Sequence, residues 1–293
     1  LFNYFFNRSF FNNFCHIILI ETLFLRKGVS CKDNIIFAVI MDTLFIGQHI
    51  LELDTTPSTN TYAINLIKEI TVSEGTVVFT HNQTKGRGQV GNTWQAESGK
   101  NLTFSLVLHP NFLAIDKQFY LSKITSLAVF GMLTDFLNPS LYDIKIKWPN
   151  DILVNDRKIA GILIENVLRG NFLQSSVVGV GININQQSFN NVDKQATSLG
   201  ILLQQDFNLK EMLHSFCKHF EAWYLSLKQN NFTKITSNYL NQLYLLDEFA
   251  TYQSNQKTFV AKIMGVQENG LLVLSTAQSE VLKFNFKEVQ LVR

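Results

Sequence analysis

"KWPNDILVNDRKIAGILIE", residues 147–165, alternates apolar strand segments with turns. With "IKIKW" (144–148) before it, the run reads as a strand, a "PND" turn, a returning strand "ILVN", a tight turn and a further strand through "DRKIAGILIE". Lys147, Asn150, Asp151 and Lys158 are polar groups set among these apolar strands. Hairpin pairing brings polar groups of the turn and of the return strand to one edge of a sheet. Gly161 leaves space there for a ligand or a neighbouring backbone. Lys158 also has a plainer reading, an exposed strand-edge charge that discourages aggregation. Trp148, next to the Pro149 turn, is read as core.

Outward from this run the chain alternates helices and strands. "LFIGQHILELD" (44–54) reads as a strand, and "TYAINLIKEI" as an amphipathic helix capped by Ser58 or Thr59. "GTVVFTH" (75–81) is a short buried-type strand, and "NLTFSLVLH" (101–109) alternates as a half-buried one. Residues 117–137 carry apolar side chains at helical spacing, which predicts a long core-facing helix. "SSVVGVGININ" (175–185) is an apolar strand ending in amides, suited to recognising a base or ribose or to capping the turn. Helices follow near 208–228 and 231–243. From about Leu246 the pattern becomes short alternating strands, the mark of a small β-barrel or sandwich. The expected fold class is α+β: a mixed β-sheet with helices packed on one face over residues 41–245, then a small barrel over 246–293.

Residues 1–40 look different, rich in Phe and Asn and without sustained periodicity. We read them as an atypical extension outside the native protein, because the recognisable pattern begins at Met41. Their apolar run "CHIILI" is too short to span a bilayer.

Between strands lies "NQTKGRGQVGNTW" (82–94), where glycines 86, 88 and 91 are interleaved with Lys85, Arg87 and Gln89. Glycine permits close backbone approach and exposes successive N–H groups, and arginine adds a planar fork for phosphate or carboxylate. Two readings stand at this level: a mobile loop that encloses an anionic ligand, or a solvated turn with incidental charges. "GRGQVG" fits G-x-G-x-x-G, but no helix opens on these glycines, so the dinucleotide reading fails on context.

A hydrophobic content of 46% against 16% charged residues supplies a substantial core and argues against disorder. The formal charge of +2 argues against a broadly basic nucleic-acid binder. Cys15, Cys31 and Cys217 are far apart and form no CxxC, and the histidines form no HExxH. A disulfide framework or a protein-built metal site is therefore not expected, and a reducing cytoplasm is.

Taken in order, "STN", "QTKGRGQVGNTW", "KWPND", "RKIAGIL", "GVGININ", "ATSL" and the terminal barrel resemble the biotin protein ligase family from about residue 45 onward. The resemblance implies a catalytic domain like that of class II aminoacyl-tRNA synthetases, followed by an SH3-like barrel. It implies a cytoplasmic ligase that uses ATP and Mg²⁺ to convert biotin to biotinyl-5′-AMP. The biotinyl group then passes to a lysine of a biotin carboxyl carrier protein, as in acetyl-CoA carboxylase. By the same resemblance Ser58, Thr59, Asn60, Gln83, Gly86, Arg87, Gly88, Gln89, Lys158 and Gly161 bind biotin. Arg87, Trp94, Asn150, Lys158 and Asn183 bind ATP or the adenylate, and Arg87, Lys158 and Asp151 act in catalysis. Mg²⁺ is expected through the ATP phosphates rather than through protein ligands. Gln89 departs from members with a second arginine there, which weakens adenylate retention unless Lys85 compensates. No helix–turn–helix pattern precedes Met41, so a monofunctional ligase without nucleic-acid or membrane partners is expected, and a homodimer stays open. The rivals are a lipoate or octanoate ligase and a non-catalytic biotin sensor or DNA-bound regulator.

Overall fold

The computed structural model describes residues 34–37, 42–89, 91–170, 172–189 and 196–292. Apart from 34–37, the atypical segment 1–40 lies outside the described residues. Eight strands form one sheet: β1 (Asn34–Phe37), β2 (Ile50–Thr56), β3 (Val77–Gln83), β4 (Leu102–Leu108), β5 (Ile144–Lys147), β6 (Asp151–Val154), β7 (Arg157–Arg169) and β8 (Phe172–Ile182). Their spatial order is β1-β2-β3-β4-β8-β7-β6-β5. β2 and β3 are parallel and the other described pairs antiparallel, so the sheet is mixed, as expected. The parallel pair needs a crossover, supplied by helix α1 (Thr59–Glu69), whose N-cap Ser58 accepts from the Thr61 N–H. β1 pairs with β2 at the sheet edge, so part of the segment expected to be foreign contributes a strand.

The remaining helices are α2 (Phe119–Thr134), α3 (Leu199–Leu203), α4 (Leu209–Lys228) and α5 (Phe232–Asn241). Side chains alternate across a strand, so one strand serves two environments. Leu102, Phe104 and Leu106 of β4 join Val178, Val180 and Ile182 of β8 in the main core, which takes in residues of α2, α4 and α5. Phe104 meets Phe216 of α4 edge-on, with ring centroids 4.9 Å apart. The intervening residue Val107, with Val78 and Val177, joins a smaller cluster around Ala63 and Leu66 of α1. Thus α1 covers the opposite face, and the arrangement expected to have helices on one face has one on the other. The same fact corrects β4: it is buried along its whole length rather than half-buried.

Two local expectations also change. The strand expected from residue 44 begins only at Ile50, because the preceding N–H groups are already used. Those of Leu44, Phe45 and Ile46 donate to the Glu221 carboxylate of α4 at 2.7–3.0 Å, which satisfies that buried charge. Helix α3 was not expected; five residues capped by Ser198 are too few to show a period.

The chain ends in a five-stranded antiparallel sheet of β9 (Phe249–Ser254), β10 (Lys257–Val266), β11 (Leu272–Thr276), β12 (Val281–Phe284) and β13 (Gln290–Leu291), in the order β12-β11-β10-β9-β13. That is in keeping with the SH3-like unit expected. Trp148 is buried, as expected, and donates its indole N–H to the Gly270 carbonyl of the β10–β11 turn at 3.0 Å. Tyr120 of α2 donates to Glu268 of the same turn at 3.0 Å.

Beside this contact Lys123 is fully buried, its ammonium 3.2 Å from Thr236 and 4.5 Å from the Tyr120 ring centre. Burial lowers its pKa from 10.5 to about 8, opposed by the Glu268 charge. Below pH 8 the lysine is charged in both folded and unfolded chains, so the burial penalty is fully present. Between about pH 8 and 10.5 the unfolded chain binds the extra proton, so stability rises with pH. Lys123→Met should accordingly be favoured over the parent at pH 7 by more than at pH 9.5. The difference should be on the order of 2 kcal/mol in chemical denaturation, whereas equal gaps at both pH values would contradict the assignment.

Candidate active site

The face of the sheet that α1 covers only in part becomes the floor of a cavity. Thr103 of β4 pairs with Gly181 of β8, which pairs with Gly161 of β7, and that in turn with Asp151 of β6. The neighbouring row is Ser105, Gly179 and Leu163. The glycines make this floor low. A side chain at Gly181 would strike the Trp94 indole, which also lies 3.3 Å from the position of a Cβ on Gly161. Gly179 similarly leaves room for the Asn60 amide.

Lys158 reaches this floor through an irregularity that its spacing does not reveal. In β7 the even residues Ala160 and Ile164 belong to or pack against the main core, and by simple alternation Lys158 would follow them. The register shifts, however: Ile152 pairs with Ala160 but Leu153 with Lys158, leaving Ile159 without an opposite residue. This β-bulge turns Lys158 to the cavity side, and its ammonium lies 2.7 Å from Asp151 Oδ1. The ammonium is also 5.9 Å from the Trp94 ring centre.

The glycine-rich segment is more ordered than a free loop. Gly88 N–H donates to the Asn92 carbonyl, Trp94 N–H donates to the Gly86 carbonyl, and Arg87 bridges Thr93, closing a small hairpin. The base of this flap is tied to the segment before α1, Thr84 N–H to Thr56 and Lys85 N–H to Pro57. Arg87 extends to Glu165 Oε1 at 2.7 Å and Thr61 Oγ1 at 3.3 Å.

At the cavity end beside α1, Gln83 Oε1 accepts from the Thr59 N–H at 2.8 Å. The Ser105 hydroxyl lies 2.7 Å from Thr59 Oγ1 and 2.6 Å from Asn60 Oδ1. The Asn60 amide donates to Glu165 Oε2 at 2.8 Å and to the Leu163 carbonyl at 3.1 Å. The Trp94 indole N–H is buried with no hydrogen-bond partner, a donor held ready on the cavity floor.

Of the residues singled out from sequence, Ser58, Thr59, Asn60, Gln83, Arg87, Gly88, Gln89, Trp94, Asn150, Asp151, Lys158 and Gly161 line this one cavity. Gly86 lies behind it, pressed on the Trp94 backbone. Asn183 does not line it; its amide donates to the Thr197 carbonyl at 3.0 Å. Asn185 binds both backbone groups of Phe207, so for these two amides the capping alternative describes the structure. Lys85 is not among the lining residues either. Sequence reading missed Ser105 and Glu165. Ser105 stood out only as a polar residue between Phe104 and Leu106, and Glu165 as an acid closing an apolar strand.

Residues 52–183, which hold almost all of these groups, match the model of the biotin/lipoate A/B protein ligase family. The chain carries a domain of that family. It is 29% identical over 272 residues to the bifunctional ligase/repressor BirA of Bacillus spizizenii, covering 92% of this chain and 81% of that protein. It is 28% identical to a biotin–[acetyl-CoA-carboxylase] ligase of Paracoccus denitrificans, covering 76% of this chain and 92% of the relative. Among solved structures, the Aquifex aeolicus biotin protein ligase in complex with biotin and ATP superposes with a TM-score of 0.68 at 26% identity. That match covers 83% of this chain and 98% of the Aquifex chain. A match over 92% of this chain runs into the segment before Met41.

Because Trp94 rests on the bare backbone of Gly181 in this ligase-family domain, Gly181→Val should lift the indole off the floor. The expected result is red-shifted tryptophan emission and a stability loss of about 1–3 kcal/mol with the fold retained. Unchanged emission would place Trp94 elsewhere.

Proposed function

We propose that this chain is a biotin–protein ligase that makes biotinyl-5′-AMP from biotin and ATP and passes the biotinyl group to a lysine of a carrier domain, such as that of acetyl-CoA carboxylase. One observation carries the reading: Arg87 from the flap and Lys158 from β7 line the same cavity, next to a polar end built by Ser58, Thr59, Asn60 and Gln83. A cyclic urea offers a carbonyl and two N–H groups to such an end. An octanoyl tail offers none, and would displace water from this polar end without replacing its hydrogen bonds. This favours biotin over lipoate or octanoate.

In the first step a biotin carboxylate oxygen attacks the α-phosphorus of ATP, the bond to the β-phosphate breaks, and pyrophosphate leaves. In the second, the acceptor amine attacks the acyl carbon, loses its proton, and AMP leaves. Two anions must approach in the first step, so a positive field is needed there. The cations that supply it are already paired, Arg87 with Glu165 and Lys158 with Asp151. Lys158 must therefore exchange its partner on substrate binding, whereas the Arg87 guanidinium, which gives Glu165 only its Nη2 group, has further N–H donors for the substrate. When Lys158 turns to the carboxylate and phosphate, the Asp151 carboxylate is released to orient and deprotonate the acceptor ammonium. The same ion pair thereby favours adenylation before transfer. Trp94, with its unpartnered N–H, sits beside the nucleotide, and the flap keeps water from the anhydride.

Asn150 and Asp151 line the cavity, and the described residues contain no group of three or more His, Cys, Asp or Glu that could cage a metal. That set suits a Mg²⁺ carried on ATP phosphates and water, which when bound adds positive charge to the phosphates. Among the described residues no helix is long and apolar enough to cross a membrane. A cytoplasmic setting is part of the same proposal and rests on the family resemblance. We assign the chemistry to residues 41–245 and treat 246–293 as the appended SH3-like unit.

Pyrophosphate release should require biotin and should not be supported by lipoate or octanoate. Mass spectrometry of a carrier domain should show one biotinyl adduct; lipoylation without biotinylation would overturn the reading, as would ligand binding without pyrophosphate. Lys158→Ala should slow the first step by roughly a hundred- to thousandfold or more. Asp151→Asn should spare adenylate formation but slow transfer about a hundredfold or more, and equal losses in both steps would remove the proposed partner exchange.

A further inference from the structure

Glu165 belongs to none of the substrate-contacting groups assigned above, yet its two oxygens hold two of them. Oε1 accepts from Arg87 Nη2 at 2.7 Å and Oε2 from Asn60 Nδ2 at 2.8 Å. We infer that Glu165 is a positioning residue that clamps the glycine-rich flap to the cavity end where Asn60 and Thr59 bind the acid substrate; this rests on the function proposed above.

Three features favour a clamp over an incidental surface pair. First, the contact is distant in sequence and bridges separate elements: Arg87 is on the flap, Asn60 in the first turn of α1, and Glu165 on β7. Second, Asn60 is itself fixed. It is 4% exposed, donates also to the Leu163 carbonyl, accepts from Ser105, and lies against Gly179, where no side chain would fit. A carboxylate held to so rigid a group transmits that position to Arg87. Third, the geometry needs an acceptor at both oxygens, since Asn60 Nδ2 and Arg87 Nη2 are both donors. The second Arg87 nitrogen rests on Thr61 Oγ1, one residue along α1 from Asn60, so the guanidinium spans helix and strand. The Glu165 side chain is only 25% exposed, which strengthens the pair relative to one in open solvent.

A consequence is that the flap and the acid-binding end respond together. Ordering Asn60 orders Arg87 through Glu165, and the flap closes over a site that is already formed. Removing the clamp should loosen the flap even in the free protein, before any substrate is present.

Glu165→Gln tests this with nearly unchanged shape. Its amide has one acceptor oxygen, so its NH₂ must face one of the two donors, and one contact is lost. In the ligand-free protein, trypsin cleavage after Lys85 should accelerate about tenfold or more in Glu165→Gln, in line with loss of a charged hydrogen bond. Arg87→Gln, which breaks the same pair from the exposed flap, should accelerate it similarly, and the double variant should be no faster than either single one. Additive effects, or protection equal to the parent, would overturn the clamp. Should Glu165→Gln fail to fold, the Arg87→Gln cleavage rate alone decides, because this residue is on the exposed flap.

With biotin and ATP, the Glu165→Gln variant should show a KM for biotin raised about tenfold and faster escape of the adenylate, while transfer from saturating adenylate changes little. A uniform fall in kcat with an unchanged KM and an unchanged escape rate would indicate a merely structural glutamate. If the parent protein itself releases no pyrophosphate with biotin, the function proposed above fails, while the proteolysis result still judges the clamp.

Discussion

A strand has two faces, and β4, β7 and β8 spend theirs on opposite tasks. One carries Phe104, Leu106, Val178, Val180, Ile182 and Ala160 into contact with a helical core. The other carries Thr103, Ser105, Gly179, Gly181 and Gly161. The apolar face holds the sheet in place, and the small face leaves room above it. Every group in the cavity depends on that division. Trp94 can lie down only because Gly181 and Gly161 lack side chains, and Asn60 can reach Glu165 only by passing over Gly179. Enlarging any of these residues would fill the site without disturbing the core beneath.

The charges on this floor are balanced by design of the local pairs. Arg87 and Lys158 each face one carboxylate, Glu165 and Asp151. Two unpaired cations held close together would repel each other and raise the cost of ordering the flap. Pairing removes that cost and makes the positive field conditional on a ligand that can compete for it. A phosphate or carboxylate that displaces a carboxylate side chain gains a cation already held at the cavity. The two pairs differ in consequence: Asp151 sits at the end of a short hairpin strand, whereas Glu165 is bound to the rigid Asn60. Release of Asp151 frees a base, while Glu165 keeps its anchor.

Much of this was legible in the residues. The strand–turn–strand reading of 144–165 holds as β5, β6 and β7, with the tight turn falling at Asn155 and Asp156, both at positive φ. The Ser58 cap, the long helix over Phe119–Thr134 and four of the five terminal strands also follow from local pattern; the two-residue β13 is too short to show one. What pattern could not reveal was determined by pairing. Alternation alone sends Lys158 into the core, and only the unpaired Ile159 brings it out. Nor does the sequence distinguish a strand from a turn at 44–49, where Glu221, far along the chain, takes the backbone donors.

The amides of "GININ" show the same limit from the other side. Asn183 and Asn185 sit at a strand end, the place where a ligand contact and a turn cap use the same chemistry. Only their partners separate the two, and here those partners are the Thr197 carbonyl and the backbone of Phe207. Ser105 is the converse, a polar residue that alternation alone would turn toward solvent, yet it is fully buried between Thr59 and Asn60. Buried polar groups must find partners, and a serine that finds them in the first two residues of α1 helps fix how that helix meets the sheet. The acid-binding end of the cavity is thus held by hydrogen bonds rather than by packing. It can therefore lie on the small face, beyond the Val107, Val177 and Ala63 cluster that packs the rest of α1.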